Sequence, residues 1–392
     1  MYRKFSANRI FDGFQWLREN QVLITDNNGK IEALTSIEKA GDDIEFLDGI
    51  ILPGLVNAHV HLELSHMKNV ISPNTGLVQF LMQVVSKRGS FSKDIVQEAI
   101  READKEMWAQ GIMAAGDICN TADTLAIKEK SSRIIWRNFI EVISLRDENL
   151  NTVFNNANAL LRQFESADYQ SAITAGNSIV PHAPYSVSKN GFLRLNQLTT
   201  GNTISIHNQE CEAENDLFEY GTGDFLHLYK MLGYNKLPVE ITHKTSLQSY
   251  LPDFDGNQNI ILVHNTATGK KDVEFLIQYR KEKNITPWLC LCPNANLYIE
   301  NKLPDIALMN SFSLPFVIGT DSYASNYRLS IGDEIATLAK HFPEIDLSIF
   351  LKAATSNGAN AMGVEDRLGQ FKAGYTPGIV LMKKDFSTQR IL

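Results

Sequence analysis

Two histidines two positions apart, His59 and His61, close an apolar run that starts at Ile50. In a strand, side chains i and i+2 leave the same face, so both imidazoles point one way at a spacing that suits one divalent ion. A His-x-His pair alone says little; the reading turns on whether other segments supply further ligands. Val180-Pro181-His182, Ile206-His207-Asn208-Gln209-Glu210, Leu262-Val263-His264 and Ile318-Gly319-Thr320-Asp321 each run from apolar, strand-like sequence into a metal-binding or titratable side chain. Histidines and carboxylates gathered in this way do metal-assisted or acid–base chemistry.

The elements that must bring them together are legible from residue 50 onward, where apolar strand, polar loop and amphipathic helix alternate. The spacing predicts strands at 51–57, 112–115, 134–142, 178–181, 203–207, 259–264, 288–292 and 315–319. Helices are predicted at 77–87, 94–110, 151–163, 214–232 and 271–283, with a closing helix at 347–362. Asp94 is expected to open the second helix and Gly111 to close it. Eight strands alternating with helices imply a parallel sheet that right-handed crossovers close into a (β/α)8 barrel, and functional groups of such barrels sit at the C-terminal strand ends. Five of the eight strands end there in a metal-binding or titratable residue. Before residue 50, short alternating runs at 10–11, 21–24 and 31–34 fit a small sheet, and 374–382 reads as one more strand returning to it.

Composition narrows the function classes. The chain has 392 residues, 44% hydrophobic and 21% charged, with a net charge of −8. That acidity argues against nucleic-acid or anionic-membrane partners, which call for a basic face. No apolar stretch reaches the ~20 residues of a membrane span, and Tyr2 to Ser6 leads straight into strand-like sequence with no leader pattern. Cys119, Cys211, Cys290 and Cys292 show no disulfide or zinc-finger rhythm, so buried thiols in a reducing cytoplasm are expected.

The segment Pro53-Gly54-Leu55-Val56-Asn57-Ala58-His59-Val60-His61, with His207-x-x-Glu210, His264 and Thr320-Asp321, resembles the amidohydrolase superfamily. Within it the chain is similar to the branch of cytosine, guanine and S-adenosylhomocysteine deaminases and triazine hydrolases. The likeness spans nearly the whole chain; residues 353–369 resemble that branch's closing segment. It implies a small β-sandwich domain built from both chain ends (1–50 with 365–392) beside a barrel hydrolase domain (51–364). One departure is Gly374-Tyr375-Thr376-Pro377-Gly378, where the family has Gly-Lys-x-Ala-Asp.

The resemblance also implies roles. His59, His61, His207 and Asp321 would bind one divalent ion (Zn²⁺, with Fe²⁺ or Mn²⁺ as alternatives) and leave a position open for water. Asp321 would take a proton from the attacking water, Glu210 would carry protons to the ring nitrogen and to departing ammonia, and His264 would hydrogen-bond the nucleophile. The predicted fourth strand offers neither Lys nor Glu as a bridging ligand, which favours one metal. His182, in Pro181-His182-Ala183-Pro184-Tyr185, is read as a substrate contact or as a core histidine. Glu63 is read as a partner for a ribose or polar substituent or as a solvated loop carboxylate, and so is Glu212. Trp136 and Arg137 are pocket candidates. Cys292-Pro293-Asn294-Ala295-Asn296 is read as a turn or as a substrate contact.

The function expected is hydrolytic deamination of an aminated heterocycle: an adenine nucleoside such as S-adenosylhomocysteine or aminodeoxyfutalosine, or a related base. The alternatives are hydrolysis of a chloro- or alkylamino-triazine or a cyclic amide at the same site, and a non-catalytic structural relative. The partner expected is a small heterocyclic molecule, and the resemblance allows a homodimer.

Overall fold

The structure is a computed structural model that describes residues 2–169 and 174–392. Its strands are β1 (Tyr2–Ile10), β2 (Gln21–Asp26), β3 (Ile31–Ser36), β4 (Glu45–Pro53), β5 (Leu55–Val60), β6 (Ile112–Cys119) and β7 (Ile135–Val142). They continue as β8 (Gly176–Pro181), β9 (Thr203–Asn208), β10 (Asn259–His264), β11 (Trp288–Leu291), β12 (Phe316–Ile318), β13 (Ile379–Met382) and β14 (Thr388–Arg390).

The eight strands β5 to β12 form two four-stranded sheets, β5-β6-β7-β8 and β9-β10-β11-β12, and every pairing within them is parallel. The sheets meet at both seams. At one, Thr320 and Asp321 N–H donate to the His59 carbonyl at 3.0 and 3.1 Å, and Val60 bridges Asp321. At the other, His207 N–H donates to the His182 carbonyl at 3.0 Å, and Ser178 Oγ to the Thr203 carbonyl at 2.6 Å. Every residue of β5 and β9 is buried. Strands covered by helices outside and by packed side chains inside read as continuous apolar runs, which is why the sequence showed them so clearly.

Both chain ends join one further sheet, in the order β14-β13-β4-β1-β2-β3, with β1 and β4 parallel and the other pairs antiparallel. The expected sandwich is therefore one six-stranded sheet among the described residues. Phe371 from the C-terminal segment joins its core (Phe5, Ile10, Leu23, Ile31, Ile51, Ile379). The sheet also reaches past residue 50. The run predicted as one strand at 51–57 is two, β4 and β5, divided at Gly54. A Cβ there would lie 2.1 Å from Met113 Cγ and 2.3 Å from the Pro377 carbonyl, so only glycine lets the chain cross between the sheets.

Most helices fall where the pattern placed them, Leu77–Lys87 among them. The helix Lys93–Ala109 is capped by Ser92, whose hydroxyl accepts from Ile95 N–H, not opened by Asp94. The single helix expected at 214–232 is two, Glu212–Tyr220 and Phe225–Met231. Gly221, at φ 67°, ends the first in a left-handed cap. The closing helix likewise divides into Leu347–Ala354 and Ser356–Met362. No helix among the described residues is long and apolar enough to cross a membrane.

Candidate active site

The C-terminal ends of β5, β9, β10 and β12 converge. β5 carries His59 and delivers His61 just beyond its end, β9 carries His207, and Asp321 follows β12. One ligand atom from each of these four lies within 4.8 Å of the other three. His61 Nε2 stands 3.2 Å from His207 Nε2 and 3.4 Å from Asp321 Oδ1; His59 Nε2 stands 3.6 Å from the same oxygen.

The fit to a divalent ion can be tested on these atoms. Both ring nitrogens of His59 are buried with no hydrogen-bond partner, a costly arrangement unless something electrophilic sits between them and their neighbours. Burial pushes His61 down to about 3 and holds His207 well below its ordinary value, so both rings are neutral with a lone pair to give. Burial opposes charge on Asp321, yet the surrounding His59, His61 and His264 rings win, and its carboxyl stays well below the usual range. Three imidazoles and one carboxylate are a donor set for zinc and similar divalent ions, with a water able to enter as a fifth ligand. The Asp321 carboxylate also accepts from Ser325 Oγ. His264, Asn265 and Asp321 lie in the left-handed backbone region (φ 76°, 61° and 56°), strain of the kind that collects at functional sites.

Glu210 and His264 stand beside this cluster. Glu210 Oε1 is 3.5 Å from His264 Nε2. Burial, then the nearby Asp321 and Glu214, raise the Glu210 carboxyl well above its ordinary value, the direction a proton carrier needs. Its loop is held by Glu214, whose carboxylate accepts from Gln209 N–H at 3.0 Å and Glu210 N–H at 3.1 Å. His264 Nδ1 donates to Asn296 Oδ1 at 2.8 Å, which turns its unpartnered Nε2 inward. Asn296, from the segment read as a turn or as a substrate contact, is thus the partner of this histidine.

A cavity of about 560 Å³ opens over the cluster. His182 is in its wall, with Nδ1 2.8 Å from Ser186 Oγ and its ring 4.8 Å from that of His207. Glu63 is in the wall too. One of its oxygens is committed to Asn120 N–H, Thr121 N–H and Thr121 Oγ1 at 3.0, 3.0 and 3.1 Å. Glu212 pairs with Lys302 outside the cavity.

Trp136 and Arg137 are misplaced in the sequence reading. They start β7, at the barrel end remote from the cluster. Trp136 is fully buried and donates Nε1–H to Ser132 Oγ; Arg137 donates to the Met362 carbonyl at 3.0 Å. The residue of that strand that does reach the cavity is Glu141, near its C-terminal end, with Oε1 3.7 Å from His207 Nδ1. Strand direction was the signal that would have chosen it. A second hollow, of about 770 Å³, lies beyond Leu145 and contains none of the cluster.

A model of the amidohydrolase family matches residues 50–390. The chain belongs to that family. Among curated relatives of this amidohydrolase is the aminodeoxyfutalosine deaminase of a Nitratiruptor species, 23% identical over 88% of this chain and 84% of that one. Among solved structures, Helicobacter pylori aminofutalosine deaminase with methylthio-coformycin superposes with a TM-score of 0.80 at 22% identity, covering 97% of this amidohydrolase and 92% of that chain. An adenosine deaminase from Xanthomonas campestris with bound zinc gives a TM-score of 0.73 at 20% identity, covering 97% and 84%. Likeness at these identities establishes the shared fold.

Proposed function

We propose that this amidohydrolase is a hydrolytic deaminase of an adenine nucleoside. The observation that carries the reading is a buried Glu210 at the edge of the His59–His61–His207–Asp321 cluster, 3.5 Å from His264 Nε2. A deaminase needs a carboxyl that arrives protonated, because an amino group leaves a heterocycle only when the adjacent ring nitrogen and then the amine are protonated. The names of the relatives agree with this. A divalent ion, zinc as in the Xanthomonas protein, would be held by the four cluster residues and would supply water activated near neutral pH.

The remaining steps belong to the chain's own residues. Asp321, ionised, takes the proton that water sheds as its oxygen bonds to the amino-bearing carbon. Glu210 gives its proton to the neighbouring ring nitrogen. His264 Nε2 hydrogen-bonds the incoming oxygen, with Asn296 fixing the ring. The C–N bond then breaks as the new hydroxyl's proton passes through Glu210 to the departing ammonia; a ring carbonyl remains, and the proton held by Asp321 returns to Glu210. His182 and Glu63 line the substrate's path. The four cysteines are all buried and unpaired, which supports a reducing, cytoplasmic setting; a homodimer is part of the same reading, checked by light scattering.

Ammonia release from a panel of adenine nucleosides by the zinc-loaded protein tests the proposal. Release of chloride, alkylamine or a ring-opened acid from triazines or cyclic amides, with no ammonia from the nucleosides, would replace it.

A further inference from the structure

Strand pairing between β9 and β10 ends with His264 opposite Asn208. At that rung the two strands part, one leading to Glu210 and the other presenting His264 Nε2, 3.5 Å from the Glu210 carboxyl. These two groups must address one substrate from separate strand ends. The strand ladder alone does not hold their separation, because Glu210 lies two residues beyond its last rung. Something must tie the two loops to each other if transfer distances are to be kept.

The two residues between His207 and Glu210 make that tie. Asn208 Nδ2 donates to Asn265 Oδ1 at 3.1 Å, and Asn265 N–H donates back to the Asn208 carbonyl at 3.0 Å. Gln209 is engaged at every polar group. Its N–H goes to Glu214 at 3.0 Å, and its backbone carbonyl accepts from Ala267 N–H at 2.8 Å. Its Oε1 accepts from Thr268 Oγ1 at 2.7 Å, while Nε2 donates to Asn215 Oδ1 at 2.9 Å and to Asp272 Oδ2 at 3.1 Å. Ala267 and Thr268 lie in the loop after His264, and Asp272 in the first turn of the helix Lys270–Lys283 that follows it. Asp272 is a fixed anchor, since it also accepts from Thr245 Oγ1, from Gln248 Nε2 at 3.1 Å and from Gly269 N–H at 3.1 Å.

Gln209 is no ordinary loop glutamine. It is completely buried, where glutamine mostly lies at the surface. Its backbone is left-handed, at φ 45°, a region that residues other than glycine seldom adopt. Strain of this kind persists only where the surroundings over-determine it, and here five hydrogen bonds do so, three of them through the side chain. Resting on the deaminase reading, we propose that Gln209 is a positioning residue for proton transfer, its carboxamide locking the loop of Glu210 to the loop of His264. The carboxamide does not line the cavity and acts through Glu210. Without the lock, Glu210 keeps its carboxyl but loses its register with His264 and with the substrate nitrogen.

Gln209→Ala removes the carboxamide; Thr268→Val removes one of its bonds from the opposite loop and keeps the shape of the side chain. With the adenine nucleoside that wild type turns over best, zinc-loaded Gln209→Ala should lose ~10–100-fold in kcat, with KM and metal content unchanged. Thr268→Val should move kcat the same way by a smaller factor. The deciding comparison is made in Glu210→Gln protein, which has no carboxyl left to position. There Gln209→Ala should cost no more than about twofold, because a residue that acts through another adds little once the other is gone. Equal losses in the two backgrounds, or a rise in KM with kcat kept, would overturn the proposal. If Gln209→Ala does not fold, Thr268→Val in the same two backgrounds makes the same comparison. Wild type that releases ammonia from no adenine nucleoside would instead overturn the deaminase reading, and amide exchange followed by mass spectrometry then judges the lock. Gln209→Ala should speed exchange over residues 208–212 and 264–268 together and leave the rest of the chain as it was; faster exchange confined to 208–212, or none, would overturn the lock.

Discussion

His207 Nδ1 lies 2.7 Å from the backbone carbonyl oxygen of His182. A carbonyl only accepts, so Nδ1 carries the hydrogen and Nε2 turns a lone pair towards His61 and Asp321. His207→Ala removes that donor, and the protein should purify with less than ~0.1 ion per chain and no activity. Elemental analysis beside wild type checks this. Stripping wild type with a chelator should lower its melting temperature and readdition of zinc restore it, because an ion bound only by the native state stabilises that state.

Glu210→Gln keeps the shape of the side chain and removes the proton. Metal content should be unchanged while kcat falls by ~10²–10⁴. Full activity in this variant would show that the proton carrier has been misassigned.

Asn296 touches His264 and not the four cluster residues. Asn296→Ala frees the imidazole to rotate and to change tautomer, so kcat should fall by ~10–100-fold with metal content intact. A rise in KM with kcat untouched would instead make Asn296 a binding residue.

Glu334 links stability to pH. Burial pushes its carboxyl up to about 8, against which Asn294 N–H and Asn326 Nδ2 donate at 2.9 and 2.8 Å. From the ordinary value of 4.5 up to about 8, the native protein keeps a proton that the unfolded chain has released. The native state binds more protons across that window, so stability falls as pH rises through it. Glu334→Gln cannot titrate. Relative to wild type it should gain on the order of 2–4 kcal/mol between about pH 4.5 and about pH 8.5, read from denaturant midpoints at the two pH values; parallel pH profiles would refute the assignment.

Lys128 is completely buried, bonded to Asp117 and to Asn138 Oδ1, with its ammonium 4.7 Å from the Trp136 ring. Asp117 in turn accepts from Leu62 N–H at 2.8 Å, one residue past His61. Lys128→Met strands a buried carboxylate and should cost about 3–5 kcal/mol. Asp117→Asn with Lys128→Met should recover part of it, in a double-mutant cycle by chemical denaturation.

How much of this was legible in the sequence follows from what each signal encodes. His59, His61, His207, His264 and Asp321 stood out because several apolar strands ending in metal-binding or titratable side chains make a coincidence of unrelated core residues a poor explanation. The period of the helices likewise survives in any order of packing. Trp136 and Arg137 show the limit: a strand pattern announces itself without saying which residues face a cavity, and a choice by residue type picked the wrong end. Asn296 and Lys128 were beyond reach, since each gains its meaning from a partner on another element. The small domain was legible as strands but not as layers, because alternation reports that a face is covered and not by what.

The donors of the cluster are spread from the first barrel strand to the last, and the His59 carbonyl is what the backbone of Thr320 and Asp321 grips. During synthesis, then, no ion can be fully housed until the eighth strand has emerged and come round to the first. Metal capture is a report that the first and last of these strands have met, and a chain truncated before Asp321 would leave the ribosome with three histidines and nowhere to complete the set.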